Sequence, residues 1–267
     1  MEPQWIAAYL ALGGVVGFFA GLLGVGGGGI MVPMLTTFFV IQDFGGDRHT
    51  VHMALSTSMA SIIVTSISSL RAHHRHGAVL WPSVRTLTPA ILIGAFGATF
   101  VAAMASSKAL AVFFVCFMSV VSVQMLLNAK PKPHRDLPGR VGLSLAGLVI
   151  GIISSLVAIG GATLTVPFLT WCNVRIQHAI GTAAALGFPI AIAGTLGYFL
   201  SGLNAQGMPP GSIGYIYLPA VVLISSSSYF TAPMGARLAH SLPVATLKKV
   251  FAGLIVLLCI RMLQSIF

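Results

Sequence analysis

Gly24, Gly26, Gly27, Gly28 and Gly29 lie inside one apolar stretch, and Gly160 and Gly161 lie inside another. Consecutive glycines destabilise a helix, so each cluster marks a break followed by a new helix start. A helix start presents free backbone N–H groups and the positive end of the helix dipole. Together these bind an anion without a charged side chain. Glycine also lets a ligand approach the backbone. The candidate ligand contacts at the breaks are therefore Gly26, Gly27, Gly28, Gly29, Gly160 and Gly161, with Thr163 beside the second pair. His52 and His178 each open a later apolar run, and Ser56, Thr57 and Thr182 stand about one turn further on. Hydroxyls and a protonated imidazole suit an oxyanion, and histidine can also carry a coupling proton. The same side chains serve equally well at headgroup level or as hydrogen bonds between helices.

The two clusters belong to copies of one motif. Gly17, Gly26, Gly27, Val32 and Pro33 recur at Gly151, Gly160, Gly161, Val166 and Pro167 with one offset and no gap. His52-Met-Ala-Leu-Ser56 is echoed by His178-Ala-Ile-Gly-Thr182. The copies are unequal, because Ala158 and Ala162 stand where the first has Gly24 and Gly28. Gly24, Pro33 and Pro167 read as framework or gating residues. The Gly17-x-x-x-Gly21 spacing reads as helix packing.

The elements around these residues must live in lipid. The chain has 267 residues, of which 57% are hydrophobic and 7% charged, and its mean hydropathy is +0.97. That composition describes an all-α polytopic membrane protein. Its net charge of +10 is carried in the connections, where it sets orientation, so no nucleic-acid partner is expected. Cys116, Cys172 and Cys259 stand singly in apolar sequence, with no zinc or haem spacing, and no metal or cofactor is expected. Met1-Glu2-Pro3 lacks the basic segment of a cleavable signal.

Eight apolar runs can be marked. Val51–Leu70, Thr86–Ser106, Leu110–Leu127, His178–Leu200, Ser212–Met234 and Thr246–Phe267 each fit one spanning helix. Trp5–Ile41 and Val141–Cys172 would be roughly 50 Å long as straight helices, against an apolar core of about 30 Å. These two hold the glycines, so each is read as a hairpin of helix, break and shorter helix. Lys130–Arg140, rich in proline and basic residues, reads as a cytoplasmic linker. If both hairpins turn back, Arg71, Arg75, Arg85, Arg175, Arg237, Lys248 and Lys249 fall on the linker's side. If the second crosses once, the last three move outside, against the positive-inside rule. The reading is two inverted-topology repeats of about five helical elements, in segments 1–129 and 141–267, joined by 130–140, with both termini outside. Arg71-Ala-His-His-Arg-His76 reads as part of a cytoplasmic loop.

Glu2, Asp43, Asp47 and Asp136 are the four acidic residues, and all lie outside the expected spans. Coupling through a buried carboxylate is disfavoured. A serine–histidine hydrolase lacks an orienting third group. No enzymatic site is expected.

At the paired glycine segments followed by Val-Pro, the chain resembles the sulfite exporter TauE/SafE family, also called the 4-toluene sulfonate uptake permease family. The matching residues are Gly17, Gly21, Gly24, Gly26, Gly27, Gly28, Val32 and Pro33, then Gly151, Gly160, Gly161, Val166 and Pro167. The resemblance implies a permease of the bacterial inner membrane for small sulfur-containing anions such as sulfite, sulfoacetate and related organosulfonates. The implied partners are a small anionic substrate and the lipid bilayer. Small-residue faces are compatible with a homodimer. The rival readings are an anion channel and a non-transporting membrane subunit.

Overall fold

The structure, a computed structural model, describes residues 2–24, 26–44, 46–127, 136–239 and 244–266. Most of the basic linker and the side chain of Lys248 fall outside the described residues. Helices α1 (Pro3–Leu23), α2 (Gly28–Ile41), α3 (Gly46–Arg75), α4 (Trp81–Met104) and α5 (Ser107–Leu126) precede the linker. Helices α6 (Arg140–Leu156), α7 (Ala162–Trp171), α8 (Ile176–Gly202), α9 (Leu218–Ala239) and α10 (Val244–Ile266) follow it. Both over-long apolar runs split at their glycines, as their length requires. Among the described residues, six helices are long and apolar enough to cross a membrane: α1, α3, α4, α5, α8 and the Lys249–Ile266 part of α10.

Two expectations are corrected. Ser212–Met234 is not one helix. Its first residues form an antiparallel hairpin of β1 (Ser212–Ile213) and β2 (Ile216–Tyr217), and α9 starts only at Leu218. Gly211 and Gly214 adopt positive φ there, which helical backbone does not allow. Arg71–Arg75 is not loop either, because α3 continues to Arg75. His73 is buried beneath it, with Nε2 3.2 Å from the Gly21 carbonyl.

Helices α3 and α8 form the centre. Some 78% of the most apolar stretch of α3 and 72% of that of α8 is buried, against 33% for α5 and α10. They run antiparallel, as Gly187 lies beside Ser66 and Gly194 beside Met59. The exterior is the apolar side, with Ile93, Val120, Val222 and Phe230 exposed, whereas Ser58, Ser61, Thr65 and Ser66 of α3 are buried. Lipid accepts the former; of the latter, Ser61 and Thr65 donate to carbonyls of their own helix, and Thr65 also meets the Ser228 hydroxyl of α9 at 2.9 Å.

Two glycine seams join the outer helices in pairs. A Cβ on Gly13, Gly17 or Gly21 of α1 would strike α9 at Ile224, Ser228 or Ala232, and one on Gly235 would strike Phe18 of α1. A Cβ on Gly147 or Gly151 of α6 would meet the Leu87 or Ile91 carbonyl of α4 at 2.8 or 2.5 Å. Such close backbone approach is the use small residues have in membranes. The Gly17–Gly21 spacing therefore does pack helices.

The helices place the basic residues unevenly. Arg75, Arg140, Arg175 and Arg237 lie at helix ends on one side of the molecule, and Arg48 and Lys108 lie on the other.

Candidate functional site at the crossing of two broken helices

Each glycine cluster makes a left-handed turn. Gly24 caps α1 with φ 69°, and its N–H bonds the Ala20 carbonyl at 2.8 Å. Gly27 and Gly161 precede α2 and α7 with φ 82° and 79°. Ala158, which stands where the first motif has Gly24, still adopts φ 49°, at a cost of about 1–2 kcal/mol for a residue with a Cβ. The backbone path is thus kept although the glycine is not.

Both chains turn back at these breaks. Gln42 at the end of α2 donates from Nε2 to the Tyr9 hydroxyl near the start of α1, at 2.9 Å. Helix α6 runs alongside α4 from the Arg140 end, and α7 then returns to where α8 begins. The two hairpins enter from opposite ends and meet in the interior. A Cβ on Gly26 would lie 2.5 Å from Gly160 Cα, and one on Gly28 would strike the Ala158 carbonyl. This explains the unequal copies, since Gly28 has a backbone against it that leaves no room for a side chain.

The crossing brings two helix starts together. No side chain caps α2 or α7. The first intrahelical bonds at each start are those of Ile30 and Met31 to Gly27, and of Leu164 and Thr165 to Gly161. The N–H groups of Gly28, Gly29, Ala162 and Thr163 come ahead of them. The buried hydroxyls of Ser58, Ser155, Thr163 and Thr165 have no hydrogen-bond partner. Ile62 of α3 and Ser66 lie against Gly26 and Gly187 at the same level.

The other expected contacts are dispersed. His52 is buried, with Nε2 3.0 Å from the Ala102 carbonyl and Nδ1 3.5 Å from Ser107 Oγ. Ser56 Oγ donates to the Tyr215 carbonyl at 2.6 Å, and Thr57 Oγ1 accepts from the Tyr217 N–H at 3.1 Å. These three therefore serve the β-hairpin end. His178 opens α8 at the opposite end, and Thr182 Oγ1 accepts from the Leu80 N–H at 3.0 Å. Following the α3–α8 register, His52 and His178 are separated by roughly 35 Å at 1.5 Å per residue. One small ligand cannot touch both ends.

The β-hairpin closes the His52 end. Tyr217 packs on Phe39, Phe44 and Tyr9 with ring centroids 5.8, 5.2 and 6.4 Å away, and Tyr215 packs on His49 and His52 at 5.3 and 5.2 Å. Burial pushes both tyrosine phenols above their ordinary pKa. Ser56→Ala with Thr57→Val removes two hydrogen bonds, each of about 1 kcal/mol. Amide exchange at Tyr217 is expected to quicken about thirty-fold. Unchanged protection would show that the aromatic packing alone holds the hairpin.

A family model matches nearly the whole chain, the residues of both breaks included. The sulfite exporter TauE/SafE model covers residues 9–262. The chain belongs to the sulfite exporter TauE/SafE family. A probable membrane transporter protein of Haemophilus influenzae is 37% identical over 97% of this chain and 98% of its own length. Probable membrane transporter proteins of Methanocaldococcus jannaschii and Bacillus subtilis are 23% and 24% identical, over 86% and 88% of this chain and 84% and 90% of theirs. No solved structure matches. This TauE/SafE member is a multi-pass membrane transporter.

Sequence reading of this TauE/SafE chain missed Thr165, Ser155 and the tyrosine hairpin. Thr163-x-Thr165 sits immediately after the second break, and hydroxyls that close to a helix start were the available signal. The hairpin was hidden because Ile213, Tyr215, Ile216 and Tyr217 continue the apolar run of α9.

Proposed function

We propose that this transporter moves small sulfur-containing oxyanions such as sulfite, sulfoacetate or related organosulfonates, with the anion held where the two glycine breaks cross. The carrying observation is the contact of Gly26 with Gly160, which brings two uncapped helix starts together in the protein interior. Converging helix starts near the midplane are how broken-helix transporters hold anionic groups. The described spans contain no Asp or Glu, so nothing at the crossing repels an anion. Sulfur enters through the family, whose model is that of a sulfite exporter.

The two halves, 1–129 and 141–267, act as inverted repeats about the crossing. In support, α1 pairs with α9 as α6 pairs with α4, and the hairpins enter from opposite ends. His52 with Ser56 and Thr57, and His178 with Thr182, then line the two approaches to the anion. The end with Arg75, Arg140, Arg175 and Arg237 faces the cytoplasm, and the membrane is the bacterial inner membrane. Movement of one hairpin against the other alternates access, and the working direction is export. Nothing in this scheme calls for bond-making chemistry, so the protein is no enzyme.

The test is flux in liposomes containing purified protein, with labelled sulfite, sulfoacetate and taurine under imposed gradients. Saturable uptake with counterflow is expected. Absence of flux for every sulfur oxyanion under every gradient overturns the proposal, and non-saturating conductance replaces it with a channel.

A further inference from the structure

The two breaks are not chemically equal. Thr37, Thr50, Thr65, Thr86, Thr88 and Thr170 each donate to the carbonyl four residues back, the usual fate of a helical threonine. Thr163 and Thr165 do not, although both are buried, at 7% and 0% exposure, and neither hydroxyl has any partner. Both stand at the opening of α7. Thr165 Oγ1 lies 3.8 Å from the point a Cβ on Gly161 would occupy, so it faces the break. A buried hydroxyl without a partner costs about as much as a lost hydrogen bond, and such groups call for a ligand or water. By the offset that relates the motifs, Gly29 and Met31 stand where Thr163 and Thr165 do. Neither offers a side-chain donor.

The surroundings differ in the same sense. Helix α2 is enclosed, with Val32 and Pro33 buried and Gly29 against Met118 of α5 and Ile255 of α10. Helix α7 packs chiefly on α8, and its Val166, Pro167 and Phe168 are half-buried.

We infer that, of the two breaks, only the second donates side-chain hydrogen bonds to the substrate, through the hydroxyls of Thr163 and Thr165, while the first contributes backbone N–H groups. This rests on the anion-transport reading above and assigns its specificity to α7. Two hydroxyls beside a helix start fit a small oxyanion with several acceptor oxygens, such as sulfite or the head of a sulfonate. Carboxylates, with two oxygens, should bind less well.

The experiment titrates the purified full chain with sulfite, sulfoacetate and acetate by thermal shift, and measures sulfite flux in liposomes. Thr163→Val and Thr165→Val keep the side-chain shape and remove the hydroxyl. Each is expected to weaken sulfite and sulfoacetate binding about ten-fold or more, as for a lost bond to a charged group. Thr36→Val removes another buried, unpartnered hydroxyl, far along α2 from its glycines, and is expected to bind as the wild type does. Thr163→Ser and Thr165→Ser should restore affinity, which guards against a Val variant that merely folds badly. Wild-type binding with unchanged Val variants overturns the assignment to α7 and leaves the transport reading standing. An equal loss in Thr36→Val, or no rescue by serine, also overturns the assignment. A wild-type protein that neither binds nor moves any sulfur oxyanion overturns both.

Discussion

Gly26→Ala is expected to destroy transport and to lower stability by about 2–5 kcal/mol. Two costs add. Gly26 has φ 71°, where a Cβ costs about 1–2 kcal/mol. The new Cβ would also lie 2.5 Å from Gly160 Cα, which is backbone and cannot swing aside, and such overpacking costs about 1–3 kcal/mol. Either α2 moves away from the second break or the break itself distorts, and both change the place where the two hairpins touch. Gly28→Ala meets the Ala158 carbonyl and should behave alike. Gly14→Ala and Gly97→Ala have nothing within 4 Å and are expected to melt and transport as the wild type does. Thermal melting of purified protein and liposome flux together check this. Wild-type melting of Gly26→Ala would refute the contact at the crossing.

Gly17→Leu is expected to prevent accumulation of folded protein. Its Cβ would strike the Thr231 hydroxyl and the backbone of Ser228, and the remaining atoms would drive α1 off α9. Without a hydrophobic driving force between helices in lipid, close packing is most of what joins them. A loss of about 3 kcal/mol or more follows from overpacking on this scale. Gly151→Leu, which meets α4 at Ile91, should fail equally. Gly14→Leu, one helix face away, should not. Monodisperse yield after detergent extraction reads all three. Wild-type yields for Gly17→Leu and Gly151→Leu would mean that the seams do not hold the outer helices.

Much of this was legible because membrane sequence reports length and breaks well. Trp5–Ile41 and Val141–Cys172 exceed one span, and the glycines say where each gives way. The Gly-x-x-x-Gly spacing of α1 revealed a seam but not its partner, as small residues do not encode what packs on them. The repeats pair His52 with His178 on paper, yet the antiparallel α3 and α8 place the two at opposite ends. His73 was hidden by its company, because Arg71, His74, Arg75 and His76 read as solvated loop, and nothing local shows that α1 ends against that turn. The glycines of the first break make room for the second break's backbone, and the unpartnered hydroxyls of Thr163 and Thr165 lie on α7.

The seam between α1 and α9 bears on how the chain is made. Helix α1 is synthesised first, but the surface that receives Gly13, Gly17 and Gly21 emerges roughly 200 residues later. Until then its glycine stripe faces lipid or the insertion machinery with no partner. The α4–α6 seam needs only the intervening α5 and linker, so it can close early. Biogenesis should therefore proceed from the middle outward, with the first helix docking nearly last. A chain arrested before Leu218 would hold its centre formed and its opening helix adrift.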